Sequence, residues 1–236
     1  MRHIAHRGSL ASAPENTLTA FTKALHANVD MIELDVRVCK TGEPIIMHDA
    51  TVDRTTNGKG KVKNLSLTEL QALRIDKKER IPTLQEAIDL LGGKTVINIE
   101  IKTRGSVKTI VDLVRHNIQR KKLSYDDFVI ASANILTLRE VYKRDKKFRL
   151  SLILRYFPSL VIRVSNRYNL FSVQPVGKVT TEKLVNSLQE KDIQVFPWVV
   201  KTTEDGTKFF RKMKKLGVDG IISFFPEKLK EHEKKS

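Results

Sequence analysis

The sequence predicts an α/β protein folded as a (β/α)8 TIM barrel, and three observations lead there. Short apolar runs of strand character alternate with helical stripes from end to end, the pattern of a parallel sheet covered by helices. Eight or nine such runs in 236 residues suit a closed barrel, typically ~250 residues long, better than an open doubly wound sheet. No G-x-G-x-x-G or P-loop turn, the signature of nucleotide-binding open sheets, occurs anywhere.

The strand candidates are residues 3–6, 31–36, 44–48, 96–101, 128–131, 150–154, 170–173, 193–199 and 218–223. Helical patterns lie between most of them. Residues 16–26 carry Leu18, Phe21 and Leu25 on one face. Residues 83–91 follow Pro82 and open with Thr83 and Glu86 in capping-box spacing. Residues 106–119 place Val107, Ile110, Val111, Val114 and Ile118 on one stripe. Residues 203–216 bury Phe209, Phe210, Met213 and Leu216, then stop at Gly217, a residue suited to a left-handed C-terminal cap. One join departs from the pattern. Only eight residues separate Val36 from Ile45, too few for the crossover that parallel strands need, so a local hairpin is expected around Thr41-Gly42. Nine candidates for eight barrel places also imply one surplus assignment.

Composition bounds the partners. A chain of 236 residues buries roughly 70–75 % of its unfolded surface and needs no cross-links to fold. The single cysteine, Cys39, excludes an internal disulfide framework and reads as a small buried apolar residue. No apolar run approaches the ~20 residues that span a bilayer. The opening MRHIAHRG lacks the apolar core of a signal peptide, so a cytoplasmic location is expected. With no linker or repeat, residues 1–236 read as one domain.

The formal charge of +16 is the unusual feature, and it is unevenly spread. Residues 1–100 hold 14 Lys and Arg against 13 Asp and Glu, whereas residues 101–236 hold 29 against 14. The basic half reads as a solvated surface or as a face drawn to polyanions, including peripheral contact with an anionic membrane. The densest basic stretch, residues 139–167, holds Tyr142, Phe148, Tyr156 and Phe157 but not the aromatic interleaving of the kind used for base stacking, so nucleic acid is disfavoured as a partner.

Candidate chemistry clusters at strand ends, where barrel enzymes build their sites. His6-Arg7-Gly8 closes the first strand; its glycine permits a sharp turn and its arginine can clamp a phosphate. In the second, alternation sends Glu33 and Asp35 to one face, where either a divalent metal or basic side chains must neutralise them. His48 ends the third, as a structural or a catalytic histidine. Glu100 and Lys102 share one face at the end of the fourth, as a third carboxylate beside a cation or as a plain ion pair. Together these are the groups that cleavage of a phosphodiester requires. Carboxylates hold Mg²⁺ or Ca²⁺, cations absorb developing charge, and histidines exchange protons with the attacking and leaving oxygens.

These residues stand in runs that resemble the glycerophosphodiester phosphodiesterases. The matching runs are I-A-H-R-G at 4–8, P-E-N-T at 14–17, I-E-L-D-V at 32–36, H-D at 48–49 and R-T-T-N-G-K-G at 54–60. I-P-T-L-Q-E at 81–86 and N-I-E-I-K at 98–102 continue the likeness, and F-P-W-V-V at 196–200 and G-V-D-G-I-I-S at 217–223 return it more weakly. The resemblance implies a (β/α)8 barrel that hydrolyses glycerophosphodiesters to an alcohol and glycerol 3-phosphate. It implies His6 and His48 as the catalytic pair, Glu33, Asp35 and Glu100 as metal ligands, and Arg7 and Lys102 as phosphate contacts. Trp198 falls where the family often has an aromatic near the pocket; a core tryptophan is the alternative. Residues 50–80 correspond to the family's insertion after the third strand, as a lid or recognition wall, with residues 55–57 forming either part of it or a plain turn. One departure is visible: where the family often reads I-I-T-D-x-P, this chain has I-I-S-F-F-P at 221–226 and loses the aspartate. A lysophospholipase D-type activity, with a greasy entrance beside Phe157, Leu160, Phe224 and Phe225, is the alternative substrate class. An inactive barrel binding nucleic acid is the alternative from outside enzymes. Head group, preferred metal and oligomeric state are not legible.

Overall fold

Apolar alternation and short connections settle how the strands meet. The chain is seen as a computed structural model that describes residues 1–11, 13–156, 161, 164–165, 167–199 and 206–228. Its strands are β1 (Arg2–His6), β2 (Met31–Val38), β3 (Pro44–Ile46), β4 (Val96–Ile101), β5 (Phe128–Ser132), β6 (Arg149–Leu154), β7 (Leu170–Pro175), β8 (Gln194–Val195) and β9 (Gly220–Ser223). The described helices are α1 (Leu18–His26), α2 (Leu67–Ala72), α3 (Leu84–Leu91), α4 (Val107–Arg120), α5 (Ile135–Arg144), α6 (Glu182–Gln189) and α7 (Gly206–Lys215).

Eight strands pair in parallel in the order β8-β7-β6-β5-β4-β2-β1-β9. Trp198 nearly closes the ring, bridging Val176 on one side and Ile222 on the other, with the Ile222 amide donating to the Pro197 carbonyl at 3.0 Å. The result is a (β/α)8 barrel. No strand assignment was surplus, contrary to the expectation from counting. The ninth, β3, returns antiparallel on β2 outside the barrel, through a turn at Gly42 whose φ of 102° only glycine adopts freely. The run at 193–199 is a continuous strand only over Gln194–Val195. Pro197 has no amide to offer β9, so pairing beyond it survives as isolated bridges. Helix α1 begins at Leu18 rather than residue 16, because Asn16 has a φ of 58° and Thr17 caps the helix by accepting from the Ala20 amide. Thr83 and Glu86 form the expected capping box at α3. The expected helix at 203–216 is seen from Gly206; residues 203–205 lie outside the described residues.

Strand alternation divides the interior. Outward side chains of β2 and β4 (Ile32, Leu34, Ile97, Ile99) join α4's Ile110, Val111 and Val114 in the main core between barrel and helices. Inward side chains Ile4, Met31, Val129, Phe196 and Ile222 plug the barrel. One pleat further toward the carboxyl ends, the inward positions become His6, Glu33, Asp35 and Glu100. The strands end there, and the solvated mouth can tolerate charge that the plug cannot.

Residues 47–81 pack as a separate unit over the β2–β3 hairpin. Val52, Val62, Leu70, Ile75 and Ile81 share a small core with Cys39, Ile45 and Met47. Thr55 lies in a turn and Thr56 bridges Ile75 antiparallel, with the Thr56 hydroxyl donating to the Val52 carbonyl at 2.8 Å, so residues 55–57 are tied into this unit.

Candidate active site

The site begins with an unusual turn. After β1, Arg7 has a φ of 58°, a left-handed conformation that costs an L residue about 1 kcal/mol. Its neighbours hold it there: its amide lies 3.0 Å from both the carbonyl and Oε2 of Glu33, and its carbonyl accepts from the Asn16 amide at 3.0 Å. Gly8 follows at a φ of 87°, and a Cβ there would stand 2.7 Å from Ala20, so the turn excludes any side chain. The turn delivers the Arg7 guanidinium to Asp35, with Nε 3.0 Å from Oδ2.

Register supplies the rest. Glu33 and Asp35 on β2 lie beside Asn98 and Glu100 on β4, and His6 on β1 lies beside Glu33. Lys102 bridges the carboxylates, its Nζ 2.8 Å from Glu100 and 3.0 Å from Asp35. Asn16 donates to Asp35 Oδ2 at 2.8 Å and accepts from the Asp35 amide, fixing that carboxylate from a second loop. Oxygen atoms of Glu33, Asp35 and Glu100 lie within 4.8 Å of one another.

Burial pushes all three carboxyls up, but their partners separate them. Lys102, Arg7 and the Asn16 amide outweigh burial at Asp35 and hold it well below the usual carboxylate range. Glu33 is driven well above it by burial and by the charges of Asp35 and Glu100. Glu100 also rises, from burial and Asp35, against the pull of Lys102. Three carboxylates thus face two cations, and Glu33 Oε1 is buried with no hydrogen-bond partner. A hard divalent cation accepts such an oxygen set, would give that atom a partner, and would let Glu33 ionise. The residues present fit Mg²⁺ or Ca²⁺.

Both histidines face the same pocket, which encloses about 340 Å³ including its open mouth and is also lined by Arg7, Glu33, Glu100 and Trp198. His6 is buried against Phe224, ring centroids 4.2 Å apart, with its Nε2 3.8 Å from Glu33 Oε2. Burial, then the Arg7 charge, lowers its pKa well below 6.5. His48 lies just beyond the end of β3 and is more open. Its Nδ1 is 2.6 Å from Asp49 Oδ1, and Asp49 is gripped by Arg54 Nε at 2.5 Å. Burial, Lys102 and Arg7 lower His48 as well, against the opposing carboxylates Asp35 and Asp49. Arg54 also binds Glu15 through both terminal nitrogens, at 3.0 and 2.7 Å, and Glu15 accepts from Arg7 at 3.0 Å. A chain of charge therefore runs Arg7–Glu15–Arg54–Asp49–His48 around the rim.

All eight residues singled out in the sequence meet at this mouth. Trp198 both packs against the barrel plug and lines the pocket, its Nε1 donating to the Gln174 carbonyl at 3.1 Å. Of the greasy-entrance residues, Phe224 packs on His6, Phe225 is half-buried, and Phe157 and Leu160 lie outside the described residues. Glu15, Asn16 and Arg54 were missed as site residues although they stand inside the P-E-N-T and R-T-T-N-G-K-G runs. Gln174 and Arg155 were missed as well; the available signal was their position at the ends of barrel strands.

The family model described as "Glycerophosphoryl diester phosphodiesterase family" matches residues 6–228. A glycerophosphodiester phosphodiesterase of Caldanaerobacter subterraneus is 36 % identical over 96 % of this chain and 95 % of its own. A mouse protein named lysophospholipase D is 27 % identical over 98 % of this chain and 85 % of its own. The fold matches that of an Oleispira antarctica phosphodiesterase, solved with the product sn-glycerol-3-phosphate, at a TM-score of 0.88 and 23 % identity over 99 % of this chain and 97 % of that one. Among the described residues, no helix is long and apolar enough to cross a membrane. The chain belongs to the glycerophosphoryl diester phosphodiesterase family and is an enzyme, a phosphoric diester hydrolase.

Proposed function

We propose that the chain hydrolyses glycerophosphodiesters to an alcohol and glycerol 3-phosphate, with a divalent metal and two histidines. The observation that carries this reading is one pocket lined by His6, His48, Arg7, Glu33 and Glu100, with Asp35 and Lys102 paired behind them. Glu33, Asp35 and Glu100 would hold Mg²⁺ or Ca²⁺. When bound, the ion supplies Lewis acidity toward the phosphoryl oxygens. Its double charge and the single negative charge of a phosphodiester would leave the cluster of three carboxylates and two cations neutral.

His48 is suited to be the base. Both histidines are held neutral near pH 7 by burial and by the cations, but only His48 has a carboxylate on Nδ1. Asp49 fixes its tautomer and stabilises the imidazolium formed when Nε2 takes the proton of the attacking oxygen. That oxygen belongs to water or to the substrate's own glycerol hydroxyl, the second giving a cyclic phosphate that water then opens. His6 is left to protonate the leaving oxygen, with the phosphate's charge nearby favouring its protonated form. Arg7 and Lys102 absorb charge building on the phosphoryl group. Residues 50–80 act as a fixed wall: their own core holds Arg54, and Arg54 holds Asp49 behind His48.

The test is a coupled glycerol 3-phosphate assay on glycerophosphocholine and glycerophosphoglycerol, in EDTA and after adding back Mg²⁺ or Ca²⁺. Release only with metal is expected; full turnover in chelator would remove the carboxylates from their assigned role. Lysophosphatidylcholine belongs in the same panel, read by choline release because its other product is lysophosphatidic acid, since a lysophospholipase D is among the relatives that align across nearly the whole chain.

A further inference from the structure

The wall opposite the metal ligands carries a cation with no carboxylate partner among the described residues. Arg155, just beyond β6, lines the pocket with its guanidinium carbon 5.6 Å from the centroid of the Trp198 ring. Among the described residues no carboxylate lies within ion-pair distance of it, whereas Arg7 and Lys102 are each matched by two. The ring beneath is fixed by its bond to the Gln174 carbonyl. The Gln174 amide is fixed in turn, donating at 2.8 Å to Ser151 Oγ, which also receives the Ser172 hydroxyl at 2.7 Å. Among the described residues Gln174 Oε1 accepts no side-chain or backbone hydrogen bond, and Gln174 lines the same pocket.

A bare tryptophan face attracts a quaternary ammonium. Here a guanidinium already covers it, so a cationic head group would meet like charge where it would otherwise find a platform. A carboxylate or phosphate would meet a donor fork that can bind it bidentately. We infer that Arg155, presented by Trp198, selects glycerophosphodiesters whose leaving alcohol carries a negative charge, with Gln174 Oε1 accepting from a hydroxyl of that alcohol. The inference rests on the phosphodiesterase reading above. If His6 protonates the leaving oxygen, the alcohol departs toward the Trp198 ring, which stands edge-on to His6 at 6.3 Å.

The test compares kcat/KM on glycerophosphoinositol, glycerophosphoinositol 4-phosphate and glycerophosphocholine for the full chain with Mg²⁺ or Ca²⁺. The first two differ only in the head-group phosphate. Wild type is expected to prefer the phosphorylated inositol over choline by about tenfold or more, the scale of one half-solvated charge pair. Arg155→Gln should lower the phosphorylated substrate about tenfold and raise choline several-fold, whereas Arg155→Lys keeps the wild-type order. An equal loss on all three in Arg155→Gln would place the side chain beside the common glycerol and overturn the inference. So would a wild-type preference for choline. No glycerol 3-phosphate from any substrate would overturn the phosphodiesterase reading and this inference together.

Discussion

The two halves of the barrel mouth are chemically unlike. The sector made by β1 to β4 carries His6, Arg7, Glu33, Asp35, His48, Glu100 and Lys102, densely paired and mostly buried. Among the described pocket-lining residues, the sector made by β6 to β9 presents Ile153, Gln174, Trp198 and Ile222, neutral apart from Arg155. Bond cleavage needs charges held at fixed separations, and only side chains locked by register and by one another supply that. Recognition of an alcohol needs shape and one or two polar atoms. The groups proposed to react therefore fall within the first 102 residues, of which the first hundred are near-neutral, and the chain's excess charge lies mostly beyond them.

The largest test of this division is to remove the histidines. His6→Ala and His48→Ala are each expected to lower kcat by about 10²–10⁴, measured on any accepted substrate. Changes in the β6–β9 wall should instead act on KM and on substrate ranking. A histidine variant with a near-wild-type kcat would erase the distinction. Stability separates the two histidines: His6→Ala leaves a gap against Phe224 and should lower the melting temperature, whereas the more open His48→Ala should hardly move it.

Asp35 is the strongest test that the β1–β4 sector is a single electrostatic unit. Asp35→Ala takes from Arg7 and Lys102 one of the two carboxylates that match each, leaving Glu15 and Glu100, and releases Asn16, so a loss of about 3 kcal/mol in unfolding free energy is expected alongside lost activity. Denaturant titration measures it. A change under about 1 kcal/mol would mean that the two cations find water instead and that the cluster is not mutually dependent.

Legibility in the sequence follows the same division. Glu33, Asp35, Glu100 and Lys102 could be placed because period-two alternation is dictated by the backbone, and two acids on one face of an apolar strand demand a counter-charge. The barrel was legible for a similar reason: apolar runs and helical stripes are local properties. Counting could not tell that β3 leaves the ring, since eight residues after Val36 allow a hairpin but do not say what it pairs with. Nor could pattern show that Pro197 interrupts β8 or that Arg7 and Asn16 adopt left-handed backbone. Both are non-glycine positions held by long-range hydrogen bonds. Glu15, Arg54 and Arg155 act through partners 39 or 43 residues away in the chain (Glu15 with Arg54, Arg155 with Trp198), contacts that only folding brings about.

Arg54 gives a smaller effect that links the wall of residues 50–80 to the chemistry. Arg54→Ala frees Asp49 and Glu15 while touching neither histidine directly, and should cut kcat by about tenfold through a less well oriented His48. Arg54→Lys should restore part of it. If KM rose and kcat held, the wall would belong with recognition rather than with the reacting sector.

The smallest effect is on stability against pH, measured by thermal melts in EDTA. His6 and His48 have folded pKa values below the ordinary 6.5, so the unfolded chain takes up their protons first as pH falls. Their contribution is present in full above about 6.5 and is lost as pH drops through the folded values. Asp49 behaves likewise lower down. Burial raises it, but Arg54 and His48 outweigh burial and hold it at about 2, below its ordinary 3.8. Its contribution is full above 3.8 and fades toward 2. These losses make an upper and a lower stage with acid; Glu33 and Glu100, held above their ordinary 4.5, oppose the upper one, so each group's share is read as the difference between wild type and variant. His6→Ala flattens the upper stage and Asp49→Asn the lower. An upper stage unchanged in both histidine variants would show that neither is held neutral by its surroundings. The β1–β4 sector would then lack the charge coupling that sets it apart from the opposite wall.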